Sequence, residues 1–168
     1  MLIGRQEILE NLKRKIDSDT NVYSYDIYDG GLWKDAKYKD GSAFFSDKRN
    51  IGGLINVDWF QPFTNSEHSI GVIYMVLLNL SRNIRFQLEN VIIIGIIPGP
   101  REPKLTINTF LQPLVSDLLK FWKGVFLNED GQEVMYRFML LGSSSDLPAT
   151  RKCCGFMSYN ALHGMILL

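Results

Sequence analysis

The stretch Leu54–Phe63, LINVDWFQPF, limits what this chain can fold into more than any other. An apolar run climbs to a single carboxylate, Asp58. The aromatic pair Trp59-Phe60 follows, and Gln61-Pro62-Phe63 stops the element, because proline has no N–H to give a strand ladder. A strand that brings one acid to its carboxyl end and then breaks is how α/β folds present reactive carboxylates. A second acid, Asp146, has a similar setting in LLGSSSDLPA, after the run EVMYRFM.

The elements around these two acids follow from periodicity. Leu54–Asp58 reads as a first strand and Ser69–Leu78 as a second, rich in the Val, Ile and Tyr that favour extended backbone. Val91–Ile97, VIIIGII, reads as a third; being apolar on both faces, it is expected at the sheet centre. Pro98-Gly99-Pro100 ends it. Phe110, Leu111, Leu114, Val115, Leu118, Leu119 and Trp122 recur at helical spacing and are expected to be core. Thr106 or Asn108 could cap this helix, Pro113 could instead mark its start, and Gly124 is a natural stop. Val125–Leu127 and Glu133–Leu141 flank Asn128-Glu129-Asp130-Gly131, a hairpin turn, and Pro148 opens a short final helix.

Three consecutive strands with short connections are expected to be antiparallel. A strand arriving after a helix can lie parallel to the first. The order therefore predicts an α/β fold of the ribonuclease H-like kind: a mixed sheet of three antiparallel strands, a helix and a further strand, with Asp58 and Asp146 facing each other across neighbouring strands. Residues 51–168 would form this domain. Residues 1–50 would hold an amphipathic helix, Arg5–Ile16, and an irregular aromatic-rich segment. The basic run Lys13-Arg14-Lys15 is either a solvated helix end or a phosphate contact. Tyr25, Tyr28, Trp33, Phe44 and Phe45 either anchor the irregular segment to the core or stack on bases.

Composition narrows the setting. In 168 residues, 18 Lys and Arg balance 18 Asp and Glu, so no global basic field marks a nucleic-acid binder. The apolar runs are too short to span a bilayer, which leaves no membrane role for them. The adjacent Cys153-Cys154 form no disulfide framework and fit a reducing compartment, partly buried and inert. His68 and His163 stand apart from any acid or Cys pattern and are read as surface or packing residues.

Two carboxylates at one site repel and call for a cation, and their hard oxygens suit Mg²⁺ or Mn²⁺. A pair of such ions about 4 Å apart clamps the attacking and leaving oxygens of a phosphoryl displacement. The plainer readings stand beside this one. Asp146 before Leu-Pro has the form of a helix N-cap, and Asp58 that of an aromatic-flanked turn residue.

Blocks of the chain, in order, resemble the transposase family of CACTA (EnSpm-type) DNA transposons, in the form abundant in fungal genomes. They are Asp26-Ile27-Tyr28-Asp29-Gly30 with Trp33-Lys34; Asn56–Phe63; Tyr74–Leu80; Gly95–Pro100 with Glu102-Pro103; Phe110–Val115 with Leu118-Leu119 and Trp122; and Asp146–Ala149 with Arg151-Lys152 and Gly155-Phe156. The resemblance covers about 25–164. It implies a DDE-type, ribonuclease H-like domain that cuts DNA at transposon ends and joins them to a target with divalent metal, in the nucleus. Asp58 and Asp146 fall on the first and second catalytic acids, as ligands of Mg²⁺ or Mn²⁺. Full-length transposase is an expected partner.

In the family a Gly and a Cys-x-x-Cys pair follow the Gly-Phe segment, half of a zinc site. Here His163-Gly164 leads to Met165-Ile166-Leu167-Leu168. The zinc ligands, the third acid and a DNA-end-binding module are thus expected to be missing, and the chain to be a truncated fragment, inactive alone. The alternatives are a non-catalytic relic that binds DNA or transposase, with Lys13-Arg14-Lys15 and Arg151-Lys152 as its contacts, and an unstable pseudogene product.

Overall fold

The computed structural model describes residues 26–64, 68–103 and 106–154. The predicted helix Arg5–Ile16 with Lys13-Arg14-Lys15, as well as Tyr25, His163 and the tail after Cys154, lie outside the described residues.

The described chain is mixed α/β. Its strands are β1 (Asn50–Phe60), β2 (Ile70–Leu77), β3 (Val91–Ile97), β4 (Val125–Glu129) and β5 (Gln132–Ser143). Helix α1 (Ile107–Lys123) connects β3 to β4, and α2 (Leu147–Cys153) follows β5. The strands form one five-stranded sheet in the order β3-β2-β1-β5-β4.

Hydrogen bonds and close approaches give the strand directions. Arg137 N donates to Arg49 O and Ser144 N to Ile55 O, so β1 and β5 advance together and are parallel. Leu78 N donates to Gly52 O, while Gly71 lies against Trp59, so β2 runs back along β1. Ser69 N donates to Pro100 O and Gly71 also lies against Ile97, which makes β3 antiparallel to β2. The β4–β5 hairpin pairs Val125 with Tyr136 and Glu129 with Gln132. Its turn holds Asp130 and Gly131 at φ of 53° and 85°, the left-handed pair that suits a two-residue hairpin loop.

Three expectations change. β3 lies at the edge of the sheet, not its centre, and Ile93 and Ile96 are 66% and 63% exposed. Its apolar residues report extended-backbone preference; only some of them, Ile97 foremost, turn inward. Helix α1 starts at Ile107, so Pro113 sits inside it rather than at its first position. The carbonyl of Thr109, four residues earlier, therefore lacks its helical donor. The apolar stripe of α1 is core only in part: Phe110, Leu111 and Leu114 pack inward, whereas Val115 and Leu119 are exposed. Gly124 ends the helix as expected, at φ 113°.

Backbone proximity divides the chain into two compact units. The first holds residues 26–53, Val76–Val91 and Leu118–Leu141. Phe44, Ile51, Val76, Leu77, Leu78, Leu80, Tyr136 and Phe138 are buried in it. Gly52 and Gly53 let β1 pass beneath rings: a Cβ on Gly53 would overlap Phe138, and one on Gly52 would lie 2.9 Å from Trp33. The aromatics of the irregular segment anchor it here. Trp33 stacks on Phe45 with centroids 3.6 Å apart, and Tyr28 and Phe44 are buried.

A polar clip closes the same unit. Arg85 is 4% exposed; its guanidinium reaches both oxygens of Asp26 at 2.7 and 3.0 Å, the Tyr28 hydroxyl at 3.1 Å and Leu80 O at 3.0 Å. The Tyr28 hydroxyl lies 2.7 Å from Leu78 O and 3.0 Å from Leu80 O. Asp26 and Asp29 complete a capping box around the single turn Ile27–Asp29. The Asp-Ile-Tyr-Asp-Gly block is thus structural.

The second unit holds Leu54–Met75, Ile92–Asp117 and residues from 142 on. Val57, Ile73, Ile97 and Ile107 form its buried centre, with Trp59, Ile94, Phe110, Leu111, Leu114 and Cys153 packed against it. Burying each aliphatic side chain contributes about 1.5–3 kcal/mol before chain entropy is set against it. Among the described residues no helix is long and apolar enough to cross a membrane.

Candidate metal centre

Asp58 and Asp146 both belong to the second unit. Alternation along β1 turns Val57 into the core at 1% exposure and leaves Asp58 exposed. The Asp58 Oδ1 accepts a hydrogen bond from Trp59 N at 2.8 Å. The strand runs on to Phe60 before Gln61-Pro62 stops it, so Asp58 lies two residues short of its end.

Asp146 caps α2. Its Oδ1 accepts from Ala149 N at 2.7 Å, and Pro148 stands in the first turn, where a missing N–H costs nothing. The capping reading of Asp146 therefore holds. It uses one carboxylate oxygen and leaves the other without a hydrogen bond among the described residues; the same is true of Asp58.

Ser145 joins the two strand ends. Its hydroxyl accepts from Val57 N at 3.0 Å, and Ser144 N donates to Ile55 O at 2.8 Å. Each acid is thus the residue after one member of a directly bonded pair, Val57–Ser145. Sequence reading passed over Ser145; its only signal was the Ser143-Ser144-Ser145 run at a predicted strand end.

Lys152 and Glu102 belong to the same unit. Lys152, on α2, lies 4.7 Å from the centre of the Trp59 ring and forms an ion pair with Glu102. Desolvation by the surrounding protein lowers its pKa from the ordinary lysine value. Burial likewise pushes the thiol of Cys153 up; Cys153 is partly buried as expected, whereas Cys154 is exposed, and both are free. His68 packs edge-on to Phe63, with centroids 6.2 Å apart.

The donor set fits a hard divalent cation in type, with two carboxylates each holding an oxygen in reserve. It is short in number: among the described residues no group of three or more His, Cys, Asp or Glu could hold a metal ion. No curated protein matches the chain. Residues 25–166 match the family model described as Transposase family tnp2.

Proposed function

The chain belongs to the transposase family tnp2, and from that we propose that it carries the catalytic core of a DDE-type DNA transposase of the CACTA (EnSpm) kind. Its sheet is read as ribonuclease H-like: β1, β2 and β3 antiparallel, then β5 parallel to β1, with β4 added outside as a hairpin strand. DNA at transposon ends is the substrate, full-length transposase a partner and the nucleus the place of action.

The observation that carries this reading is the Val57–Ser145 hydrogen bond at 3.0 Å, from β1 to the segment just past the end of the parallel strand β5. It brings the residues before Asp58 and Asp146 together at one end of β1 and β5. Asp58 and Asp146 would hold Mg²⁺ or Mn²⁺, and the ion, when bound, would polarise a phosphoryl oxygen of DNA. Trp59 N–H and Ala149 N–H each fix one carboxylate oxygen, orienting the other. Two acids supply fewer ligands than a two-ion clamp needs, so we propose that this chain by itself binds the ion without turning over DNA.

Isothermal titration with Mn²⁺ tests the pair. Wild type should show weak binding that is lost in Asp58→Asn and in Asp146→Asn. The second variant is informative because asparagine caps a helix about as well as aspartate, so α2 should persist. Curves indistinguishable from wild type in both variants would remove Asp58 and Asp146 from the site.

A further inference from the structure

The first unit carries an open cavity of about 630 Å³, lined among others by Tyr38, Lys39, Asp40, Asp47, Trp122 and Arg137. That volume lies in the range of small-ligand clefts. Its wall is aromatic and held from behind. Trp122, 38% exposed, stacks on the fully buried Phe44 with centroids 5.4 Å apart and planes 11° from parallel. Tyr38 stands 6.1 Å from Trp122, and its hydroxyl accepts from the buried Asn50 Nδ2 at 2.8 Å. The Arg137 guanidinium lies 5.8 Å from the centre of the Tyr38 ring.

The rim is mixed in sign. Asp40 is tied to Ser42 N and Oγ at 2.9 and 2.6 Å, and Asp47 to Arg49 N at 2.9 Å. Two acids beside Lys39 and Arg137 disfavour a run of phosphates. They leave room for one flat π-face with one phosphate, the combination that single-strand binders use.

We propose that this cavity takes an unpaired base of a DNA strand, stacked on Trp122 with its phosphate met by Arg137. The proposal rests on the reading that the chain acts on DNA and is independent of the metal pair.

The test is fluorescence anisotropy of a labelled oligothymidylate of about 12 nucleotides, within the site sizes such grooves take. A duplex of equal length serves as comparison, with EDTA present throughout. Wild type should prefer the single strand. Trp122→Leu should weaken that binding about tenfold, while Trp122→Phe, which keeps a ring, should stay within about threefold. Arg137→Gln should weaken it too. Single-strand binding unmoved by both Trp122→Leu and Arg137→Gln overturns the proposal. If duplex DNA still binds in that case, the DNA reading survives; if wild type binds neither form, both readings fall. Should Trp122→Leu fail to fold, Arg137→Gln and quenching of tryptophan emission by the unlabelled strand decide the question.

Discussion

Arg85 depends on a partner that only the folded chain supplies. Removing its charge leaves the Asp26 carboxylate half-buried and without an ion-pair partner among the described residues, since the pair's side chains are 5% and 19% exposed. Losing one member of such a pair costs about 3–5 kcal/mol. Arg85→Met should therefore lower the urea midpoint steeply, and adding Asp26→Asn should cost much less than a second equal loss. Tyr28 gives a pH signature. Burial raises its pKa above 10.0, outweighing the opposing effect of Arg85, and burial raises that of Tyr136 in the same sense. A phenol whose folded pKa is raised contributes stability that is complete below pH 10 and is lost as pH climbs through the folded value. Melting temperature should fall above about pH 10, and more gently in Tyr28→Phe.

At the scale of elements, local chemistry was legible and burial was not. The hairpin and the end of α1 could be read because Asp130-Gly131 and Gly124 adopt backbone conformations that few other residues accept. The edge position of β3 could not be read, since isoleucine favours a strand wherever the strand lies. The start of β1 was missed for a related reason. Asn50, Gly52 and Gly53 are poor strand formers, and they belong to the strand because Phe138 and Trp33 lie where side chains would be. Gly53→Ala should accordingly destabilise the protein by about 1–3 kcal/mol, the range for overpacking. Chemical denaturation measures it. A negligible change would mean that Phe138 swings aside at little cost.

For the molecule as a whole, strand order was enough to place β5 beside β1, because a chain that returns after a helix has few places to go. The aromatic cavity was not legible. Tyr38, Asn50, Trp122 and Arg137 come from distant stretches that no local spacing links. A formal net charge of zero adds a further expectation. With no global field, single-strand binding should depend on salt only through the one phosphate met by Arg137. At about 0.7 per phosphate, the logarithmic slope should be near −0.7. A slope several times steeper would place the main contacts elsewhere. The clip around Arg85 also has a consequence in time. It joins residues 50 to 59 positions apart, so it can close only after the chain between them has been drawn together. An interaction that forms after the folding barrier does not hasten folding; it delays the way back. Without its clip, the protein should reach the native state as fast as before and leave it sooner.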